Sequence, residues 1–90
     1  MINVTERARE ELGKLLTTYT DMPQGRLRLM DRGHGELGLG IDIEMPGDEL
    51  VEYDGSTVLV IERPLAKSLK GVILDAKDSI EGFELVIGYH

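Results

Sequence analysis

The chain opens with a short alternation, Ile2 and Val4 around Asn3, and then changes period. Ala8, Leu12, Leu15, Leu16 and Tyr19 fall at i, i+4, i+7, i+8 and i+11, one face of a helix. Thr5 stands where an N-cap hydroxyl is needed, so a helix is expected from residue 6 to about residue 19. Glu6 and Glu10 suit its positive end, and Glu10 with Lys14 makes an i,i+4 pair. Pro23 and Gly25 end it, because proline cannot continue the ladder and glycine favours a turn.

Beyond residue 25 the period becomes two. Leu27 and Leu29 alternate with arginines, and Leu37, Leu39, Ile41 and Ile43 alternate with Gly38, Gly40, Asp42 and Glu44. Both runs predict half-buried strands. A turn is expected over residues 45–48, and Asp54-Gly55 between the apolar runs 50–53 and 57–61 is a strong hairpin signal. Arg63-Pro64 opens a short helix with Leu65, Ala66 and Leu69 turned inward and Gly71 as its stop. Two closing strands are expected over 72–76 and 83–87, with the polar run 77–82 as a loop between them. The pattern predicts an α+β chain: antiparallel mixed β structure packed against an N-terminal helix, with a short second helix.

Length holds this to one domain over residues 1–90. A hydrophobic content of 41% is ordinary for a globular protein and argues against disorder. No apolar run approaches the roughly 20 residues of a membrane span, and the N-terminus lacks the basic and apolar regions of a secretory signal. A soluble cytoplasmic protein is the expectation. Seventeen acidic residues against ten basic ones give a net charge of −7, which argues against binding nucleic acid or anionic membrane. Cysteine is absent, which removes disulfides, thiolate nucleophiles and thiolate metal ligands at once.

Among local motifs, residues 33–38 (Gly-His-Gly-Glu-Leu-Gly) satisfy G-x-G-x-x-G letter for letter. A dinucleotide fingerprint needs a helix N-terminus after the glycines, whereas a strand follows here. The glycines are better read as backbone devices. Gly33 and Gly35 permit positive φ, and Gly38 and Gly40 leave one strand face bare for another backbone. His34 then stands at the tip of a loop, either simply solvated or available as a metal ligand or proton donor. Residues 36–54 hold seven carboxylates and no Lys or Arg, which a solvated sheet face explains and which would also suit docking of a basic protein partner. Ser56, Ser68 and Ser79 lie outside any G-x-S-x-G turn, so no enzyme activity is expected.

Several strings, in order, resemble the HesB-type (A-type, IscA-like) iron–sulfur cluster biogenesis family. These are residues 2–5 running into the first helix, Leu27-Arg28-Leu29, Gly33, the strand from Leu37 to Ile43, Asp54-Gly55 and Gly82-Phe83-Glu84-Leu85. The resemblance spans nearly the whole chain and implies a HesB-like domain. In that family, three cysteines carry iron or a cluster, one after the first-loop glycine and two in a C-terminal C-x-C tail. Position by position, His34 stands where the first cysteine would be. The tail has no counterpart, since only Gly88, Tyr89 and His90 follow Ile87.

Without thiolates the family's cluster chemistry loses its ligands. The leading expectation is therefore a non-enzymatic binding or adaptor protein that lacks cluster ligation and needs no cofactor. The alternative is a protein that binds iron or another metal ion through His34, with His90 or Glu36 as a second ligand. Relatives are often oligomeric, and a homo-oligomer would let such a site bridge subunits.

Overall fold

Thr5 fixes the start of helix α1 (Glu6–Tyr19): its backbone is extended at φ −66° and ψ 157°, and its Oγ1 accepts from the Ala8 N–H at 3.1 Å. The same hydroxyl donates to Asp75 Oδ1 at 2.7 Å, and the Thr5 N–H donates to the Leu74 carbonyl at 2.9 Å. One capping residue thus joins the helix to a strand distant in sequence. The computed structural model describes residues 2–34 and 36–89.

The remaining elements follow in chain order. Strand β1 (Asn3–Val4) precedes the helix; β2 (Arg26–Gly33), β3 (Glu36–Asp42), β4 (Glu49–Tyr53) and β5 (Ser56–Ile61) come after it. Helix α2 (Arg63–Ser68) and strands β6 (Val72–Ser79) and β7 (Gly82–Tyr89) complete the chain. The strands form a three-stranded sheet ordered β1-β6-β7 and a four-stranded sheet ordered β3-β2-β5-β4. Helix α1 packs on both.

One hydrophobic cluster draws from all of these elements except β3 and β7, whose apolar side chains flank it. Leu12, Leu59, Ile61 and Leu74 are fully enclosed, and Leu27 and Leu29 nearly so. Each such side chain contributes about 2–3 kcal/mol of transfer free energy. Strand β5 is buried on both faces, since Val58, Leu59, Val60 and Ile61 are all interior. Val60 lies outside the main cluster and in register with Arg28 and Leu50, on the opposite face of the sheet.

The helix bounds, the 45–48 turn and the Asp54-Gly55 hairpin stand where the sequence places them. In that hairpin both turn residues have positive φ, 53° and 81°, with Tyr53 paired to Ser56, as a type I′ turn requires. Four expectations are corrected. Strands β1 and β6, and β2 and β5, pair in parallel; the alternation of side chains is the same in either direction, so it could not show this. The loop expected over residues 77–82 shrinks to a turn at Ile80 and Glu81, because Lys77, Asp78 and Ser79 continue β6 in register with Glu84, Phe83 and Gly82. That ribbon is polar because it is exposed, and Lys77 pairs with Glu84 across it at 3.0 Å. Tyr19 is 68% exposed although it shares the helical stripe, since α1 buries only Ala8 and Leu12 fully. The apolar face of β3 thins out along the strand, from half-buried Leu37 and Leu39 to exposed Ile41, with Ile43 exposed beyond it. As an edge strand, β3 reaches past the core.

Candidate functional site

The loop singled out by the sequence joins β2 to β3. Leu29 pairs with Leu39 and Asp31 with Leu37, and the register then shifts so that Gly33 faces Glu36. Arg32 is the extra residue of this bulge. Gly33 (φ 86°) and His34 (φ 54°) both adopt left-handed backbone, and the Gly33 N–H donates to Asp31 Oδ1 at 2.7 Å. Histidine tolerates this region less readily than glycine. The side chain of His34 is exposed at the hairpin tip.

Glu36, the carboxylate considered with His34, opens β3 opposite Gly33. Gly35 and His90 lie outside the described residues. Among the described residues no group of three or more His, Cys, Asp or Glu side chains converges as a metal site would require. The chain has no cysteine to add.

Gly38 and Gly40 open one face of β3, but for side chains rather than for the expected backbone. A Cβ at Gly38 would overlap Arg32 Nε, and one at Gly40 would fall 3.1 Å from Met30 Sδ. Both neighbours come from β2 and lie across the hairpin. The long side chains need the trough that the missing Cβ atoms leave.

The seven-carboxylate stretch divides into two kinds of residue. Asp42 and Asp48 converge on Arg28. Arg28 Nε donates to Asp42 Oδ2 at 2.7 Å, and its Nη2 donates to Asp48 Oδ2 at 2.7 Å and to the Ile43 carbonyl at 3.1 Å. The Asp48 side chain is only 4% exposed, and Asp48 Oδ2 also accepts from the Met45 N–H at 2.8 Å. The Arg28 hydrogen bond, helped by the Met45 N–H and opposed by burial, holds the Asp48 carboxyl below its ordinary pKa. Asp42 is lowered chiefly by the Ile43 N–H and then by Arg28. A solvated face is therefore the wrong picture for Asp48, whereas Asp42, although bonded to Arg28, is exposed. Glu36, Glu44, Glu52 and Asp54 are exposed as expected, and Glu49 is half-buried.

Asp42, Asp48 and Asp75 all shift downward, away from what a general acid needs. Ser68 Oγ donates to the Leu65 carbonyl at 2.8 Å within its own helix. A depression of about 570 Å³ is an open groove between α1 and the β4–β5 hairpin, lined by Leu16, Tyr53 and Val58 among others.

No family model matches the chain, and no curated protein matches it in sequence. Solved structures do. A crystal structure of IscA with the [2Fe-2S] cluster matches at a TM-score of 0.65 and 22% identity, over 99% of this chain and 85% of that one. Escherichia coli SufA, involved in biosynthesis of iron–sulfur clusters, matches at 0.69 and 17%, over 98% and 84%. A protein from Aquifex aeolicus, solved by NMR in solution, matches at 0.71 and 26%, over 99% and 91%. The chain has the IscA/SufA fold.

The resemblance read from short strings is thus a likeness of whole structures. The IscA/SufA fold is retained from β1 to β7 in a chain without cysteine. What sequence reasoning missed was Arg28. Its signal was an arginine facing a carboxylate-rich segment with no cation of its own.

Proposed function

We propose that this chain is a non-enzymatic binding or adaptor protein of iron–sulfur cluster biogenesis that does not itself ligate a cluster. One observation carries the reading: an IscA/SufA fold covered almost end to end by a sequence with no cysteine. Iron–sulfur clusters are held by thiolates, with imidazole replacing them only in particular sites. Here a single exposed imidazole occupies the first-loop position, and no converging ligand set accompanies it among the described residues. What the fold still offers a basic protein partner is its exposed carboxylates, Glu36, Glu44, Glu52 and Asp54.

Anaerobic reconstitution with ferrous iron and sulfide tests this directly. The purified protein is expected to emerge without stoichiometric iron and sulfide and without cluster absorbance. Recovery of both in stoichiometric amount, with the visible absorption of a cluster, would overturn the proposal.

A second reading, metal binding through His34, draws on that residue's exposure at the tip of the loop. Its weakness is entropic. A ligand on a solvated tip must be ordered when metal binds, at about 1–2 kcal/mol per residue fixed.

A further inference from the structure

The chain's cations are unevenly used. Arg7 pairs with Asp78, Lys14 with Glu10 and Glu11, Arg28 with Asp42 and Asp48, and Lys77 with Glu84. Arg9 donates to the carbonyls of Val4 and Glu52, and Arg26 to those of Pro23 and Gly25. Among the described residues that leaves Arg32 and a group of three: Arg63, Lys67 and Lys70. Arg63 and Lys67 stand one turn apart on α2, and Lys70 follows in the turn after it, at i, i+4 and i+7. All three are exposed.

They line one depression of about 430 Å³ with Gly47, Glu49 and Ala66. Its floor is the buried Ala66 and the Gly47 turn. Arg63 lies over that turn, its Nη2 3.3 Å from where a Gly47 Cβ would stand, so the absence of a side chain there seats the guanidinium. Gly47 has φ 88°, which restricts the position to glycine on conformational grounds as well.

We propose that this basic stripe is a docking site for an extended acidic segment of a partner protein. Charge complementarity sets the partner's sign. The chain's net −7 does not cancel the stripe, because charges beyond a Debye length of about 8 Å are screened at physiological salt. Three carboxylates are closer: Glu49 within the groove, Glu62 just before Arg63, and Asp48, which is already paired with Arg28. They limit the site to a short acidic run rather than a polyanion. A nucleic acid is held through many phosphate contacts, and membrane recognition takes about four to eight clustered cations, more than this face has. A peptide strand advances about 3.3 Å per residue with alternating side chains, so every second residue of an acidic run can face the stripe. The stripe uses none of the four carboxylates proposed above, and its existence does not depend on whether a cluster binds.

The test is fluorescence anisotropy with a short labelled oligo-glutamate peptide at physiological salt. The wild type is expected to bind, and combined Arg63→Gln, Lys67→Gln and Lys70→Gln should weaken binding by about tenfold or more, as loss of three surface charge contacts implies. Lys77→Gln, which removes an exposed cation elsewhere, should leave it within about twofold on the same grounds. Glu49→Gln should tighten it, a result that mere loss of structure would not give. Thermal unfolding of the triple variant confirms that the fold is kept. No binding by wild type, or equal binding by the triple variant, overturns the proposal. So does tighter binding, through the same three residues, of oligothymidylate or of phosphatidylserine vesicles.

Discussion

Arg28 on β2 and Asp48 in the turn before β4 meet at 2.7 Å, and this contact holds the one connection that must cross the four-stranded sheet. Strands β3 and β4 are its two edges, with β2 and β5 between them. Residues 43–48 therefore pass from one edge to the other. Arg28 grips this passage at three points: Asp42 where it begins, the Ile43 carbonyl, and Asp48 where it ends. The Arg28 side chain is 14% exposed and that of Asp48 4%, so the pair is screened less than a surface bridge. Replacing Asp48 by Ala should destabilise the fold by about 1–2 kcal/mol, because a half-enclosed guanidinium and the Met45 N–H lose their acceptor. Denaturant unfolding of Asp48→Ala beside Glu44→Ala, an exposed neighbour expected to cost less than about 0.5 kcal/mol, checks this.

The same contact fixes an acid dependence. The Asp48 carboxyl is held below its ordinary value by Arg28, so its folded pKa lies under its unfolded one, near 3.9. Its contribution is complete above that unfolded value and fades as pH falls through the folded value. The stability difference between wild type and Asp48→Asn should therefore be constant near neutrality and narrow once pH drops below about 4. Unfolding curves at a series of pH values would show it. A difference that stays fixed down to the acid limit would exclude this coupling.

Residues whose side chains follow one local rule were legible in the sequence. Thr5 as a cap, the apolar stripe through Leu12, and Asp54-Gly55 as a turn each reflect a chemistry that acts within a few positions. Arg28 was not legible because its partners lie 14 and 20 residues away and belong to a run that looked uniformly solvated. Parallel pairing was hidden for a related reason. Leu27 beside Leu59 has the same alternation in either direction, and only the crossover path decides. At the candidate site, the position of His34 could be read from the flanking glycine. The company it keeps is a tertiary fact.

Thr5 carries two contacts, and a pair of substitutions separates them. Thr5→Ser keeps the hydroxyl that caps Ala8 and meets Asp75, and it should stay near wild-type stability. Thr5→Ala removes both and should cost about 1–2 kcal/mol, the usual range for losing an N-cap. In Thr5→Ala the carboxyl of Asp75, lowered first by the Thr5 hydroxyl and then by the Ala76 N–H, should titrate at higher pH. NMR titration of Asp75 in the two variants measures that movement.

Gly55 tests the hairpin. With φ at 81° it sits where an L side chain is strained, although nothing within 4 Å would clash with a Cβ. Gly55→Ala should thus cost about 1 kcal/mol from backbone conformation alone. Gly88→Ala, where neither positive φ nor a neighbour opposes a methyl group, should cost less. Thermal unfolding of the two variants under one condition compares them, and equal losses would contradict the conformational account.

His34 decides between the two functional readings. As the adaptor reading has it, titration of metal-free protein with zinc or ferrous iron should give the same weak response in wild type and in His34→Ala. One imidazole gives a metal ion a single donor, whereas structural zinc sites are nearly always four-coordinate. The loop tip must also lose freedom for each contact it makes, which works against a tight site. A wild-type affinity more than about tenfold above that of His34→Ala, about 1.4 kcal/mol, would establish that the imidazole holds a metal. Size-exclusion chromatography of the metal-loaded wild type would then show whether a second copy supplies the remaining ligands. Equal titration curves leave the His34 position as a solvated turn in an IscA/SufA fold whose work is done by other surfaces.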